Sequence, residues 1–448
     1  MGRGVAGTSL AAAVESKGDT VVGFLDDRVR ADDVIGTLAD VNDAIVSHDV
    51  DVVYFAIPSV DAATVREFLM RIETDRVDIA IIPRTYGILA KEQVSIDDLT
   101  DVDVLDLIGR EPVKHDLVEA RDFIDGKVVL VTGAAGSIGS RLVRQLLELG
   151  ARTVVGLDFS EAGIFTLASD IPDRPQLQLH VADVRDPLVL RKHFERYRPD
   201  VVFHAAAYKH VPLMQSNPVE AFNNNVGGSL EVMRAAREVS VGALVYVSTD
   251  KAVNPANVMG ATKRIGEMIL DALAQSGPTR FTAVRFGNVI ESSGSVMQTF
   301  RRQIARKQPL TVTDPEVTRF FMTLDEAAQL VIQSAFVGEN GDLFVLDMGQ
   351  PVRILDLAKA LVRLVDPTLP IEITGLRPGE KMFEELSYEP DSIGRTANGK
   401  IFVVRDAVND DPNEFLSRIE ELLARSRSFA LSDDELVAEL RAMGFPVQ

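Results

Sequence analysis

Cysteine is absent from this chain of 448 residues. That excludes disulfides, thiolate zinc sites and a cysteine nucleophile, and it fits a reducing cytoplasm. Histidine is sparse at six, which leaves little room for a histidine-rich metal site, and no metal is expected. No apolar run approaches the length needed to span a bilayer. The opening "MGRGVAGTSL" lacks the apolar core and cleavage-like site of a secretory signal. Positive charge is also short: 47 Lys and Arg face 67 Asp and Glu, for a formal net charge of −20, and only about a dozen of the basic residues are lysine. Such a surface repels nucleic acid and anionic lipid, so neither is an expected partner, and an anionic substrate requires a local basic pocket. Genome composition or a salt-adapted source would each produce this balance.

What remains is a globular pattern. Hydrophobic residues make up 46% of the chain and the mean hydropathy is +0.08, at a length that suits two or three domains. The runs "TVVGFLD" (20–26), "VDVVYFAIP" (50–58) and "VDIAIIP" (77–83) read as buried parallel strands, with helical spacing in "DAATVREFLMRIE" (61–73) between the last two. This predicts a small Rossmann-like α/β domain over residues 1–108. Its glycines Gly2, Gly4 and Gly7 stand at G-x-G-x-x-G spacing with no strand before them, so the context of that motif is missing, and no strong cofactor binding is expected there. The chain reads as beginning inside or just past a first strand, with something before it removed.

The charged stretch 109–126 reads as a linker. From Lys127 a second series alternates strands ("KVVLVTG", "RTVVGLD", "LQLHVADV", "VVFHAAA", "ALVYVSTD", "FTAVRFGNV") with helical segments. This predicts an α/β fold, a doubly wound parallel Rossmann sheet of about seven strands over 127–408. Its smaller C-terminal substrate region falls mainly in 290–408, and a helical tail follows over 409–448.

The sharpest motif is "VVLVTGAAGSIGSRL". Gly133, Gly136 and Gly139 sit between a strand and a helix whose first residues include Ser137 and Ile138. Glycines there let a pyrophosphate approach the backbone, and the helix N-terminus meets it with free N–H groups. Asp158 ends the next strand, placed for the adenosine ribose, and no basic residue directly follows it, which favours NAD over NADP. Asp183 is expected to meet the adenine. Val184, Ala205 and Ala206, at later strand ends, complete the expected cofactor set.

The segments "TGAAGSIGSRL", "HAAAYKHVPLM", "VSTDKAVNPANVMGATKR", "RFGNVIESSGSV", "TRFFMT" and "GLRPGEKMFEEL", taken in order over about residues 105–400, resemble the extended short-chain dehydrogenase/reductase family. The likeness is nearest to its nucleotide-sugar 4,6-dehydratases, the branch acting on UDP-N-acetylglucosamine in polysaccharide, capsule and protein glycosylation pathways. The resemblance implies NAD, a UDP-sugar substrate and a homo-oligomer formed through two helices of the large domain. The larger members of the branch begin with transmembrane helices. This likeness therefore implies the cytosolic part of a membrane-anchored enzyme, with no membrane contact by the present chain itself.

The resemblance also assigns roles. Asp250 is the acid for a departing 6-hydroxyl, Lys251 the base for the C5 proton, and Thr249 the hydroxyl that bonds the sugar O4. To act as a base Lys251 must be neutral, so its pKa should be depressed. Lys263 would hold the nicotinamide ribose. Met259 stands four residues before it, where much of the superfamily has the acid/base tyrosine, and a thioether has no proton to exchange. The larger dehydratases share that methionine, which implies that O4 is deprotonated through Asp250, by way of Thr249 or a water. For the substrate, Arg377 is the first cation expected at the nucleotide ribose or diphosphate. Lys209, Arg319 and Lys381 are second choices, and Glu380, Asn288, Ser293 and Gly294 complete the set. Asn225 resembles the superfamily's active-site asparagine, although Asn223 and Asn224 compete with it. Two alternatives stay open: a dinucleotide sensor that does no chemistry, which the Thr249–Asp250–Lys251 triplet with Arg377 argues against, and a UDP-sugar epimerase, which Met259 argues against.

Overall fold

The computed structural model describes residues 1–57, 62–72, 77–81, 100–101, 108, 118–290, 292–388, 393–396, 399–404 and 411–447. Two compact units emerge, one of residues 1–113, 299–317 and 352–375, the other of residues 114–298, 318–351 and 376–448.

In the first unit, helix α1 (Val5–Ser16) leads to strand β1 (Phe24–Leu25), which pairs in parallel with β2 (Val34–Gly36). Helix α2 (Val41–His48), strand β3 (Val52–Phe55), helix α3 (Ala62–Arg71) and strand β4 (Asp78–Ile81) follow, with β3 and β4 parallel. Val65, Phe68 and Leu69 recur on one face of α3 at helical spacing, continued by Ile72, and all are buried. Phe68 meets Phe55 of β3 with ring centroids 5.1 Å apart. Residues 82 and 83 of the third expected strand lie outside the described residues. The helix Ile354–Val365 packs on α3, and Leu310–Val312 pairs in parallel with Ile371–Ile373. Part of the stretch expected to serve the substrate therefore belongs to this unit.

The second unit opens with helix α4 (Val118–Ile124), inside the stretch read as a linker; Ala120 and Ile124, one turn apart, are both buried. The remaining linker residues 109–117 lie outside the described residues. The strands are β5 (Val128–Thr132), β6 (Thr153–Asp158), β7 (Leu177–Val181), β8 (Val201–His204), β9 (Ala243–Val247), β10 (Arg280–Arg285), β11 (Leu343–Leu346), β12 (Ile393–Arg395) and β13 (Ile401–Val404). They form one nine-stranded sheet in the order β12-β13-β11-β10-β9-β8-β5-β6-β7. Strands β5 to β11 are mutually parallel, as the doubly wound pattern requires, and β13 and β12 extend the sheet antiparallel. Strands β5 and β8 are buried at every position because helices cover both faces, which is why they read as continuous apolar runs. The helices are α5 (Ser137–Glu148), α6 (Glu161–Asp170), α7 (Pro187–Tyr197), α8 (Gly228–Glu238), α9 (Val258–Ala274) and α10 (Leu324–Ser334). Strand order reverses between β5 and β8, so a crevice opens at their carboxyl ends.

The tail is helical, as α11 (Pro412–Arg427) and α12 (Asp433–Ala442). Asp411 caps the first, accepting from the N–H groups of Asn413 and Glu414, and Ser432 with Glu435 forms a capping box on the second. Phe415, Ile419, Leu422 and Leu423 share one face and enter the same core as Val226, Ile265 and Ile269. This chain's own tail thus covers the α9 face. Among the described residues, no helix is long and apolar enough to cross a membrane.

Candidate active site

The glycine loop lies where the sequence puts it. Gly133 takes φ +69° and Gly136 caps α5 without a side-chain bond, which leaves the first N–H groups of the helix to face the crevice. Only glycine fits at 139, where a Cβ would stand 1.9 Å from the Gly133 carbonyl oxygen. Asp158, at the end of β6, is buried; its Oδ2 accepts the Ala135 N–H at 3.0 Å and its Oδ1 the Ser160 N–H at 2.9 Å. The crevice is lined by Gly133, Gly136, Asp158, Val184, Ala205 and Ala206 of the expected set, by Asn224, one of the three competing asparagines, and also by Phe159, Ser160 and Tyr208, which sequence reasoning did not select. These residues fit a dinucleotide: a turn that admits phosphate, a helix N-terminus beneath it and a carboxylate at ribose distance along the strand edge.

Asp183 differs from expectation. Arg185 grips its carboxylate through Nε at 2.9 Å and Nη2 at 2.7 Å, so that carboxylate is occupied by its own loop, and the neighbouring Val184 lines the crevice instead. Ile138 packs against the core behind the loop. Ser137 reaches Ser293, whose N–H donates to the Ser137 Oγ at 3.0 Å; a residue expected at the cofactor and one expected at the substrate therefore adjoin.

The three asparagines separate cleanly. Asn223 accepts from Ser426 of the tail. Asn225 is fully buried; its Oδ1 accepts the Tyr208 N–H at 2.8 Å, and its Nδ2 donates to the Tyr208 carbonyl and the Thr262 hydroxyl, each at 3.0 Å. Asn225 clamps the loop after β8 onto α9, and its amide has no donor left for a sugar. Asn224 is the one that lines the crevice. All three fall in a π-helical turn, Asn223–Gly227, of the kind that interrupts helices at functional sites.

The triplet sits at the end of β9. Ser248 N–H donates to Val284 and Asp250 N–H to Phe286, so the strand beside it fixes the backbone. Helix α9 approaches closely because residue 260 is glycine: a Cβ there would stand 2.2 Å from the Lys251 carbonyl oxygen. The Asp250 side chain is 0% exposed and accepts at Oδ1 from the Thr249 hydroxyl and from Lys251 Nζ, each at 2.9 Å. Its Oδ2 is buried with no hydrogen-bond partner. Lys251 does not show the depressed pKa that the base role requires. Burial pushes it down, but the charges of Asp250 and Glu384, with the Asp250 hydrogen bond, outweigh burial and raise it. Lys251 therefore rests as an ammonium.

Lys263 is buried, donates to the Val247 carbonyl at 2.6 Å and lies over the Tyr246 ring at 3.9 Å. Burial lowers its pKa to about 7, against the opposing charge of Glu267. Met259 is buried in the first turn of α9 and contributes packing and a backbone carbonyl to Thr262. Beneath them Glu267 binds Arg285 at 2.7 Å, Arg264 at 3.1 Å and the Ser248 hydroxyl at 2.6 Å, which ties α9 to β9 and β10.

On the substrate side, Arg377 is exposed and its N–H donates to Glu380. The turn that carries it is pinned to α9 by Asn257, whose Nδ2 donates to the Gly379 carbonyl at 2.9 Å. Arg319 is engaged by Glu380 at 2.9 Å and by the carbonyls of Thr318 and Met382. Lys381 binds Glu385 and the Val253 carbonyl. These two second-choice cations therefore act as struts. Lys209 is near enough to Lys251 for the two charges to repel; burial first, and that repulsion second, lower its pKa. Asn288 pairs its strand with Phe321, and Gly294 holds φ +72° against the His210 ring. The residue that sequence reasoning missed is Glu384. In "FEEL" it adjoins Glu385, which is exposed and paired with Lys381, whereas Glu384 is buried and turned toward Lys251. Each glutamate of the pair has one apolar neighbour, so no local signal told them apart.

The fold, with its glycine loop and crevice, is that of an extended short-chain dehydrogenase/reductase of the epimerase/dehydratase type. The family described as polysaccharide biosynthesis protein matches residues 129–406, and a family described as CoA-binding domain matches residues 4–83. The chain belongs to the polysaccharide biosynthesis protein family. It is similar to the probable polysaccharide biosynthesis protein EpsC of Bacillus subtilis, with 41% identity over 403 residues, 86% of this chain and 67% of that one. It is also similar to a UDP-glucose 4-epimerase of Rickettsia conorii, with 36% identity over 275 residues, 59% of this chain and 78% of that one. The solved structure of Pen from Bacillus thuringiensis superposes with a TM-score of 0.61 at 30% identity, covering 67% of this chain and 98% of that one.

Proposed function

We propose that the chain is a 4,6-dehydratase of a UDP-N-acetylhexosamine, first of all UDP-N-acetylglucosamine, serving polysaccharide synthesis. The observation that carries this reading is the linked side-chain series Thr249–Asp250–Lys251 at a strand end, with Asp250 buried and one of its oxygens left without a protein partner. NAD would be held by the Gly133–Gly139 loop, Asp158, Val184, Ala205, Ala206 and Lys263; when bound, it supplies hydride acceptance from C4 and return to C6.

The chain's own groups handle the protons. Thr249 already donates to Asp250, so a sugar O4–H bonded to Thr249 has a path to that carboxylate without a tyrosine. Asp250, once protonated, is the acid for the 6-hydroxyl. Its protonation also removes the nearest anion from Lys251, which then moves toward the amine form that can take the C5 proton. Met259 is consistent with this route, because no proton is asked of it. Arg377 would meet the diphosphate.

The likeness to a UDP-glucose 4-epimerase favours a second reading, simple C4 epimerisation. It lacks a proton donor at 259. The two separate by mass: incubation with UDP-N-acetylglucosamine should give a product lighter by one water, lost in Lys251→Ala. A product of unchanged mass and altered retention supports epimerisation, and Met259→Tyr should then raise its rate. No conversion of any UDP-sugar would leave a dinucleotide-binding protein without chemistry.

A further inference from the structure

One buried acid has no task in that scheme. The Glu384 side chain is 3% exposed, and its Oε1 lies 3.6 Å from Lys251 Nζ and 3.8 Å from Arg319 Nε. Its Oε2 is buried with no hydrogen-bond partner. A buried acceptor with no donor in the protein calls for an explanation in the chemistry around it. The charged groups that act on Lys251 are Asp250 beside it, Glu384 and Arg319 across from it, and Lys209 from the loop after β8. Lys251 thus stands between two anions, hydrogen-bonded to Asp250 at 2.9 Å and ion-paired with Glu384 at 3.6 Å, and the first is engaged as soon as a sugar hydroxyl gives up its proton.

Resting on the dehydratase reading, we propose that Glu384 is the proton acceptor that turns Lys251 from an ammonium into the base for C5. As the O4 proton reaches Asp250, Lys251 keeps Glu384 as its remaining anion and passes one proton to it. The resulting amine removes the C5 proton, and Asp250 gives its proton to the departing 6-hydroxyl, which leaves as water. When C5 is reprotonated from Lys251 and Glu384 returns its proton to the amine, all three groups recover their starting charges. No external acid or base is consumed, and the water carries away only the O4 proton and the 6-hydroxyl. Glu384 does not touch the sugar in this scheme; it acts through Lys251 as a positioning residue.

Glu384→Gln keeps the shape and removes the acceptor. In the full chain with NAD, dehydration and C5 exchange with deuterated water should fall together by about 10²-fold or more. The absorbance of reduced nicotinamide that reports C4 oxidation should still form, KM should hold, and Glu384→Asp should restore part of the rate. Wild-type exchange in Glu384→Gln overturns the inference, and so does equal loss of C4 oxidation and exchange, which marks a merely structural role. Failure of the wild-type chain to release water from any UDP-N-acetylhexosamine refutes the dehydratase reading instead. Independently of turnover, acylation of Lys251 by acetic anhydride, followed by peptide mass, should begin at lower pH in Glu384→Gln because one of two anions is gone. An unchanged profile means that Glu384 does not act on Lys251.

Discussion

The same backbone device occurs twice in this chain. Gly2 takes φ +83° and Gly133 φ +69°; Gly4 and Gly136 cap the helices α1 and α5; a Cβ on Gly7 would stand 1.8 Å from the Gly2 carbonyl, and one on Gly139 would stand 1.9 Å from that of Gly133. Asp26 follows β1 and accepts the Arg3 N–H at 2.8 Å, as Asp158 ends β6 and accepts that of Ala135. The first loop therefore shares the positive-φ glycine, the glycine cap and the close helix approach of the second, although no strand leads into it. The surroundings differ. Asp26 is taken up by Arg28 and Val29 N–H groups, and the Arg3 side chain pairs with Asp33. Among the described residues of the first unit no polar or charged side chain is buried, whereas the second unit buries Asp250, Lys263, Glu267, Arg285 and Glu384. A shared turn does not make a shared chemistry; the groups proposed to react lie where the fold tolerates buried charge.

Six substitutions, in four tests, probe that contrast, the largest effect first. Glu267→Gln leaves Arg285 and Arg264 without their anion and should cost about 3–5 kcal/mol in a denaturant titration. Burial raises the Glu267 pKa, but Arg285 and Arg264 outweigh it and hold it at about 2 against an ordinary 4.5. Its stabilisation is thus present above 4.5 and lost as pH falls toward 2, and the variant should lack that part of the acid limb. Gly139→Ala should cost about 1–3 kcal/mol or more and abolish NAD binding, whereas Gly7→Ala should melt the first unit earlier and leave NAD binding intact by calorimetry. If Gly7→Ala weakens NAD binding equally, the two units are not separable in function. Asp158→Ala should weaken NAD by about 10- to 100-fold from the loss of a charged acceptor, and Asp26→Ala should leave it unchanged. Arg3→Ala, at an exposed ion pair, should move Tm slightly at low salt and not at all at 1 M salt.

The α/β class and the glycine loop with Asp158 were legible because each depends on a few residues at fixed spacing, whereas the Thr249–Asp250–Lys251 triplet was reached through the family resemblance. What escaped the sequence depended on distant partners. Glu267 in "KRIGEMIL" has the spacing of a solvated helix acid, and only Arg285 from the next strand makes it a buried one. Asn225 looked like a ligand until Tyr208 and Thr262 claimed its amide. The grouping of residues 299–317 and 352–375 with the first unit follows from packing on α3 and strand pairing far along the chain, which no local pattern encodes.

The order in which the chain is made gives the covered α9 face a further meaning. Ser426 and Asn223, which hold tail to body, are 203 residues apart. A ribosome therefore releases α8 and α9 long before α11 exists to shield Val226, Ile265 and Ile269. Through that interval the nascent enzyme displays a sticky helical surface, and chaperone capture or a ribosome stall would act there, on molecules whose cofactor crevice has already been synthesised.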